Sequence, residues 1–96
     1  MTRRAQLSDE AIGTFLGAHP GWERADGALS KTFAFETYAA GIAFVVQLGF
    51  AAEARDHHPD LFVGYRRVRV AWSTHDASGI TALDTELAER TDALAR

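Results

Sequence analysis

His57, His58 and His75 stand close to Pro, Asp and Gly residues at what read as the ends of structural elements. Side chains on short connections at the mouth of a sheet are a common place for small-molecule sites. Imidazole, with a reference pKa of about 6.5, donates or accepts a proton near neutrality, so three of them suit acid–base chemistry. Glu53 lies four residues before His57. If a helix runs that far, the two share a face and touch. A carboxylate in that position fixes the imidazole tautomer and favours its protonated form. Asp84 offers the same to one of the other histidines if a helix begins beside the site. Each residue also has a plainer reading: His58 as a turn residue before Pro59, Glu53 as a solvated helix residue, Asp84 as a helix cap. His19, in the run His19-Pro20-Gly21, reads as a turn residue and neither ligand nor catalyst.

Other chemistries find less support. Adjacent side chains such as His57 and His58 diverge on a helix or strand, so sharing one metal ion is awkward, and there is no HExxH pair. No metal site is expected. Ser73, Thr74 and Ser78 lie near His75, but no GxSxG elbow accompanies them. The eight glycines are scattered and form no phosphate loop. A net charge of −3 argues against nucleic acid, which calls for a basic face. The triplet Arg66, Arg67 and Arg69 is short and reads as a solvated strand face. With no cysteine, disulfides and thiolate metal sites are excluded. No apolar run approaches the roughly 18 residues of a membrane span. Arg3 and Arg4 are followed by no apolar stretch, so no secretory signal is read and a cytoplasmic location is expected.

The elements that must position these groups are legible in the patterning. Ninety-six residues suggest one domain, over residues 1–96. Of its apolar residues 18 are alanine, so the core is thin and self-association is a natural supplement. Ser8 is a good N-cap with Asp9 and Glu10 behind it, and Ile12, Phe15 and Leu16 share the face of a first helix. Residues 22–25 and 28–36 read as strands joined by the two-residue turn Asp26-Gly27. Leu29, Phe33 and Phe35 share one strand face, which Lys31 interrupts. Tyr38, Ile42, Val45, Val46 and Gly49 then recur at helical spacing, predicting a long helix that ends near Asp56 or His57. Residues 61–65 and 66–74 read as strands, with Val68, Val70 and Trp72 on the buried side. Thr81 with Asp84 predicts a capping box, and Leu83, Leu87, Thr91 and Leu94 the buried stripe of a last helix. The order α-β-β-α-β-β-α predicts an α+β fold: a four-stranded antiparallel sheet with helices packed on one face.

Glu53, three residues, His57-His58-Pro59, five residues, Tyr65, nine residues, His75, eight residues and Asp84 resemble the pterin-4a-carbinolamine dehydratase pattern. Gly21-Trp22 and the Phe33-x-Phe35 strand are also similar to that family, and the likeness covers roughly residues 21–94. It departs at Leu61, where members often carry Trp, and at Leu83, often basic. The resemblance implies the same fold, and a homodimer or homotetramer built by joining sheet edges or packing helices. It implies dehydration of 4a-hydroxytetrahydropterin to quinonoid dihydropterin, in recycling the pterin used by an aromatic amino acid hydroxylase. By that resemblance His57 and His75 protonate the departing hydroxyl, and His58 binds the ring and handles the second proton, in an order that is open to permutation. Glu53 and Asp84 orient imidazoles, and Asp56, Ser73, Thr74, His75 and Asp76 hold the pterin's amide-like edge largely through backbone groups. No metal or organic cofactor is implied. Two rival functions stay open: a protein-interaction, assembly or coactivator module that keeps the fold, and a dehydratase-like protein acting on another heterocycle.

Overall fold

The computed structural model describes residues 5–96, so the arginines at positions 3 and 4 lie outside the described residues. Helix α1 (Asp9–Ala18) begins where Ser8 Oγ accepts the Ala11 N–H at 3.0 Å. Strands β1 (Glu23–Ala25) and β2 (Ala28–Ala34) follow, then α2 (Tyr38–Ala54), β3 (Asp60–Gly64), β4 (Arg67–Trp72), a 3₁₀ turn (His75–Ala77) and α3 (Ala82–Leu94). The sheet is antiparallel throughout, in the order β1-β2-β4-β3. The α-β-β-α-β-β-α order and the α+β class are as expected.

Register puts the apolar residues on one face. Leu29 pairs with Trp72, Lys31 with Val70 and Phe33 with Val68, and Leu61 and Val63 continue the rows. Over them lie Ile12 and Phe15 of α1, Phe44, Leu48 and Ala52 of α2, and Leu87 and Ala88 of α3. Lys31 does not disrupt this face, because Asp92 meets its ammonium at 2.7 Å and also accepts the Trp22 indole N–H at 3.0 Å. The ammonium lies 4.9 Å from the Phe33 ring centre as well, so the lysine stem packs while its charge is matched. Among the described residues, the three helices contribute their buried side chains to the core face, away from Arg67 and Arg69.

Several boundaries and faces differ from the pattern reading. The Asp26-Gly27 turn forms with both residues at positive φ, as a tight hairpin requires. The second hairpin turns at Tyr65-Arg66, so β4 starts one residue later than expected. Arg66 takes φ 62°, and its carbonyl accepts the Phe35 N–H at 2.9 Å. Capturing Phe35 in this way also ends β2 at Ala34. On α3 the buried positions are Asp84, Leu87, Ala88 and Thr91, with Leu83 and Leu94 only half-buried against the core.

Helix α2 departs furthest. Its buried residues are Gly41, Phe44, Leu48 and Ala52, while Tyr38, Ile42, Val46 and Phe50 are exposed. From Tyr38 to Ala52 the helix has no charged residue, so two stripes fit a helical period and periodicity cannot choose between them. Packing chooses: Gly41 faces the sheet over Val68 and Phe35, in line with the buried Phe44, Leu48 and Ala52. No helix among the described residues is long and apolar enough to cross a membrane.

Candidate active site

Two segments build the site: the connection from α2 to β3 and the stretch from the end of β4 to α3. Helix α2 stops at Ala54 because Asp56 takes the left-handed region at φ 49°, and the His57 N–H then closes back on the Ala52 carbonyl at 3.2 Å. Aspartate tolerates that conformation better than most side chains. On the other side, Thr74 bridges Gly79 through Thr74 N–H to Gly79 O at 2.8 Å, closing a short loop that carries His75. Ser78 occupies the left-handed region within that loop, at φ 55°. Gln6 covers it from outside, donating to the Ala77 carbonyl at 2.7 Å.

The cleft between these segments, about 300 Å³ in volume, is lined by Asp56, His57, His58, Ser73, Thr74, His75 and Asp76. The structure therefore brings all three candidate imidazoles to one hollow. They differ in setting. His57 is buried, its ring stacked on Trp72 with centres 5.7 Å apart, and its Nε2 lies 2.7 Å from Asp84 Oδ1. Asp84 is fully buried, and its Oδ2 accepts the Thr81 N–H at 2.9 Å and the Thr74 hydroxyl at 2.7 Å. His58 is half-exposed, with Nε2 2.7 Å from Glu53 Oε1. His75 is exposed and pairs with neither carboxylate.

The carboxylate pairing corrects the expectation drawn from spacing. Glu53 does not reach His57, because α2 ends three residues before it and the left-handed Asp56 swings His57 inward. Glu53 takes His58 instead, and Asp84, 27 residues on in the chain, takes His57. The two departures from the pattern also fall away from the cleft, since Leu61 and Leu83 pack against the core and do not line it. Gln6 and the Trp72 stack behind His57 were missed. Both lie far along the chain from the histidines they serve, and no local spacing marks them. His19 caps α1, stacks on Phe15 at 3.9 Å and reaches Glu89 at 2.8 Å, a tie between α1 and α3.

A carboxylate only accepts hydrogen bonds, so His57 and His58 each carry a proton on Nε2. Nδ1 is then the nitrogen of each ring left to exchange protons with a guest. Among the described residues no three His, Cys, Asp or Glu side chains gather to hold a metal ion. Beside the cleft, Arg55 hydrogen-bonds Glu86 and holds that carboxyl below the usual carboxylate range. Both groups are solvent-exposed, so the pair adds little to stability.

The family model described as pterin 4 alpha carbinolamine dehydratase matches residues 5–94. A Roseiflexus castenholzii protein named "Putative pterin-4-alpha-carbinolamine dehydratase" is 43% identical over 88 residues, 92% of this chain and 95% of its own length. A protein of the same name from Bradyrhizobium sp. is 45% identical over 92 residues, 94% and 93% of the two chains. Among solved structures, a Brucella melitensis "transcriptional coactivator/pterin dehydratase" superposes with a TM-score of 0.90 at 33% identity, covering 95% of this chain and 99% of that one. A pterin dehydratase-like protein described as a RuBisCO assembly factor in the alpha-carboxysome gives 0.68 at 29% identity, over 80% and 92%. With its family model matched over nearly the whole chain and its histidines gathered in one cleft, this chain belongs to the pterin 4 alpha carbinolamine dehydratase family.

Proposed function

We propose that this chain is a hydro-lyase that dehydrates 4a-hydroxytetrahydropterin to quinonoid dihydropterin, recycling in the cytoplasm the pterin spent by an aromatic amino acid hydroxylase. The observation that carries the reading is the meeting of three imidazoles from two separate segments around one cleft, two of them backed by carboxylates. In the reaction an acid protonates the 4a-hydroxyl and the C4a–O bond breaks, releasing water. A base takes the N5 proton, and the electrons of that N–H bond form the C4a=N5 double bond. No oxidation state changes overall, so proton transfer alone suffices. His57 and His75 supply the first proton, and His58 receives the second. Asp56, Ser73 and Asp76 present backbone groups to the amide-like edge of the ring. Freshly generated 4a-hydroxytetrahydropterin is expected to decay faster with the protein than without it, followed by ultraviolet absorbance and unchanged by a chelator. Decay at the spontaneous rate overturns the reading.

A second reading, an assembly or coactivator module on the same fold, draws on the described roles of the two solved relatives. Such a module needs an open surface, and α2 exposes an apolar ridge of Tyr38, Ile42, Val46 and Phe50. We assign that ridge to self-association, as a homodimer or homotetramer, because the core is thin and this helix face is apolar and uncharged. The double variant Val46→Lys, Phe50→Glu is expected to sediment as a smaller species than the wild type. A monomeric wild-type chain at micromolar concentration excludes the assignment.

A further inference from the structure

We infer that the Thr74 hydroxyl is a positioning group, aiming Asp84 at His57 and tying that pair to the loop that carries His75. The inference rests on the reading of the cleft as the dehydratase site. Although Thr74 borders the cleft, its side chain turns inward: the residue is 1% exposed and its Oγ1 donates to Asp84 Oδ2 at 2.7 Å. A threonine hydroxyl has one proton to give. That proton is spent on Asp84, so the 2.8 Å contact between Thr74 Oγ1 and Thr81 Oγ1 has Thr81 as its donor. A directed chain results, from Thr81 to Thr74 to Asp84.

Two short contacts from different segments thus hold Asp84 Oδ2, the Thr74 hydroxyl at the end of β4 and the Thr81 N–H at the start of α3, while the Thr81 hydroxyl lies farther off at 3.4 Å. Anchoring one oxygen at two points sets the plane of the carboxylate. The other oxygen then meets His57 Nε2 at 2.7 Å. The backbone of the same threonine performs a second task. Its N–H and C=O pair with Gly79, at 2.8 and 3.3 Å, and close the loop on which His75 sits. One residue therefore sets the relative placement of two imidazoles from different stretches of chain. Thr74 was expected to hold substrate. Its hydroxyl is committed instead to the protein interior and its backbone N–H and C=O to Gly79, so it serves the cleft by placing its neighbours.

The test uses the full chain in the Thr74→Val and Thr74→Ser forms, without ligand. Valine keeps the branched shape and loses the donor, and serine keeps the donor. In the wild type, long-range ¹H–¹⁵N spectra are expected to show His57 protonated at Nε2, with that proton exchanging slowly with water. Thr74→Val is expected to speed the exchange and to lower kcat by about 10–100-fold, the usual effect of removing an orienting partner, with KM little changed. Thr74→Ser restores both. A valine variant with wild-type exchange and wild-type kcat overturns the inference. If valine does not fold, serine still decides, because loss of the His57 signal in a variant that keeps the hydroxyl overturns it equally. The spectra contain no pterin, so inactivity of the wild type defeats the dehydratase reading without deciding this one.

Discussion

Replacing Asp84 with asparagine is expected to lower turnover by about 10²–10⁴-fold, the scale of acid–base catalysis lost when an imidazole is held in the wrong tautomer. The same substitution is expected to remove roughly 3 kcal/mol of stability, the scale of a buried polar group left without its partner. The reason lies in the donors around the carboxylate. Oδ1 accepts from His57 Nε2, while Oδ2 accepts the Thr81 N–H and the Thr74 hydroxyl. Asparagine offers one acceptor and one donor. If its oxygen faces His57, its NH₂ meets the Thr81 N–H, which is buried and cannot turn away. If it flips, the NH₂ faces His57 Nε2, which must then be bare to accept from it, so the ring loses the doubly protonated form in which Nδ1 gives its proton to the hydroxyl. Neither orientation satisfies both sides. For a chain of this size the melting temperature should fall by about 15 °C. Thermal denaturation and the pterin decay assay read the two effects separately, and a variant with wild-type values in both would exclude Asp84 from the network.

His58→Ala should separate function from folding. Turnover is expected to drop by about 10²–10⁴-fold with the removal of the group proposed to receive the second proton. Stability should barely change, because the His58 side chain is 55% exposed and its partner Glu53 77% exposed. A solvent-exposed pair of this kind contributes only about 0–1 kcal/mol. The contrast with Asp84 follows from burial alone: one carboxylate–imidazole pair lies inside the core and the other on its rim. Near-normal turnover in the alanine variant would remove His58 from the mechanism.

Where a feature depended on near neighbours, the residues were enough to read it. Ser8 caps α1, Asp26-Gly27 makes its hairpin, and Thr81 with Asp84 marks the start of α3, because each signal is a short-range hydrogen bond or a backbone preference. The turn at Tyr65-Arg66 carries no such signature. It is held by Phe35, thirty-one residues earlier, and so the ends of β2 and β4 were misplaced together. Lys31 looked like a defect in an apolar face until Asp92, brought over by α3, supplied its counter-charge.

The amino-acid order by itself determined the succession of elements, the fold class and the set of chemically capable side chains. Pattern period, caps and motif spacing are properties of the chain taken a few residues at a time. Tertiary structure alone decided which carboxylate serves which imidazole and which stripe of α2 meets the sheet. One left-handed residue at Asp56 redirects His57 from Glu53 toward Asp84, and packing over Val68 and Phe35 seats the Gly41 face of α2 on the sheet in place of another apolar face. Both outcomes turn on contacts between distant parts of the chain, whose energies exist only once the sheet has set its register and the helices have settled on it.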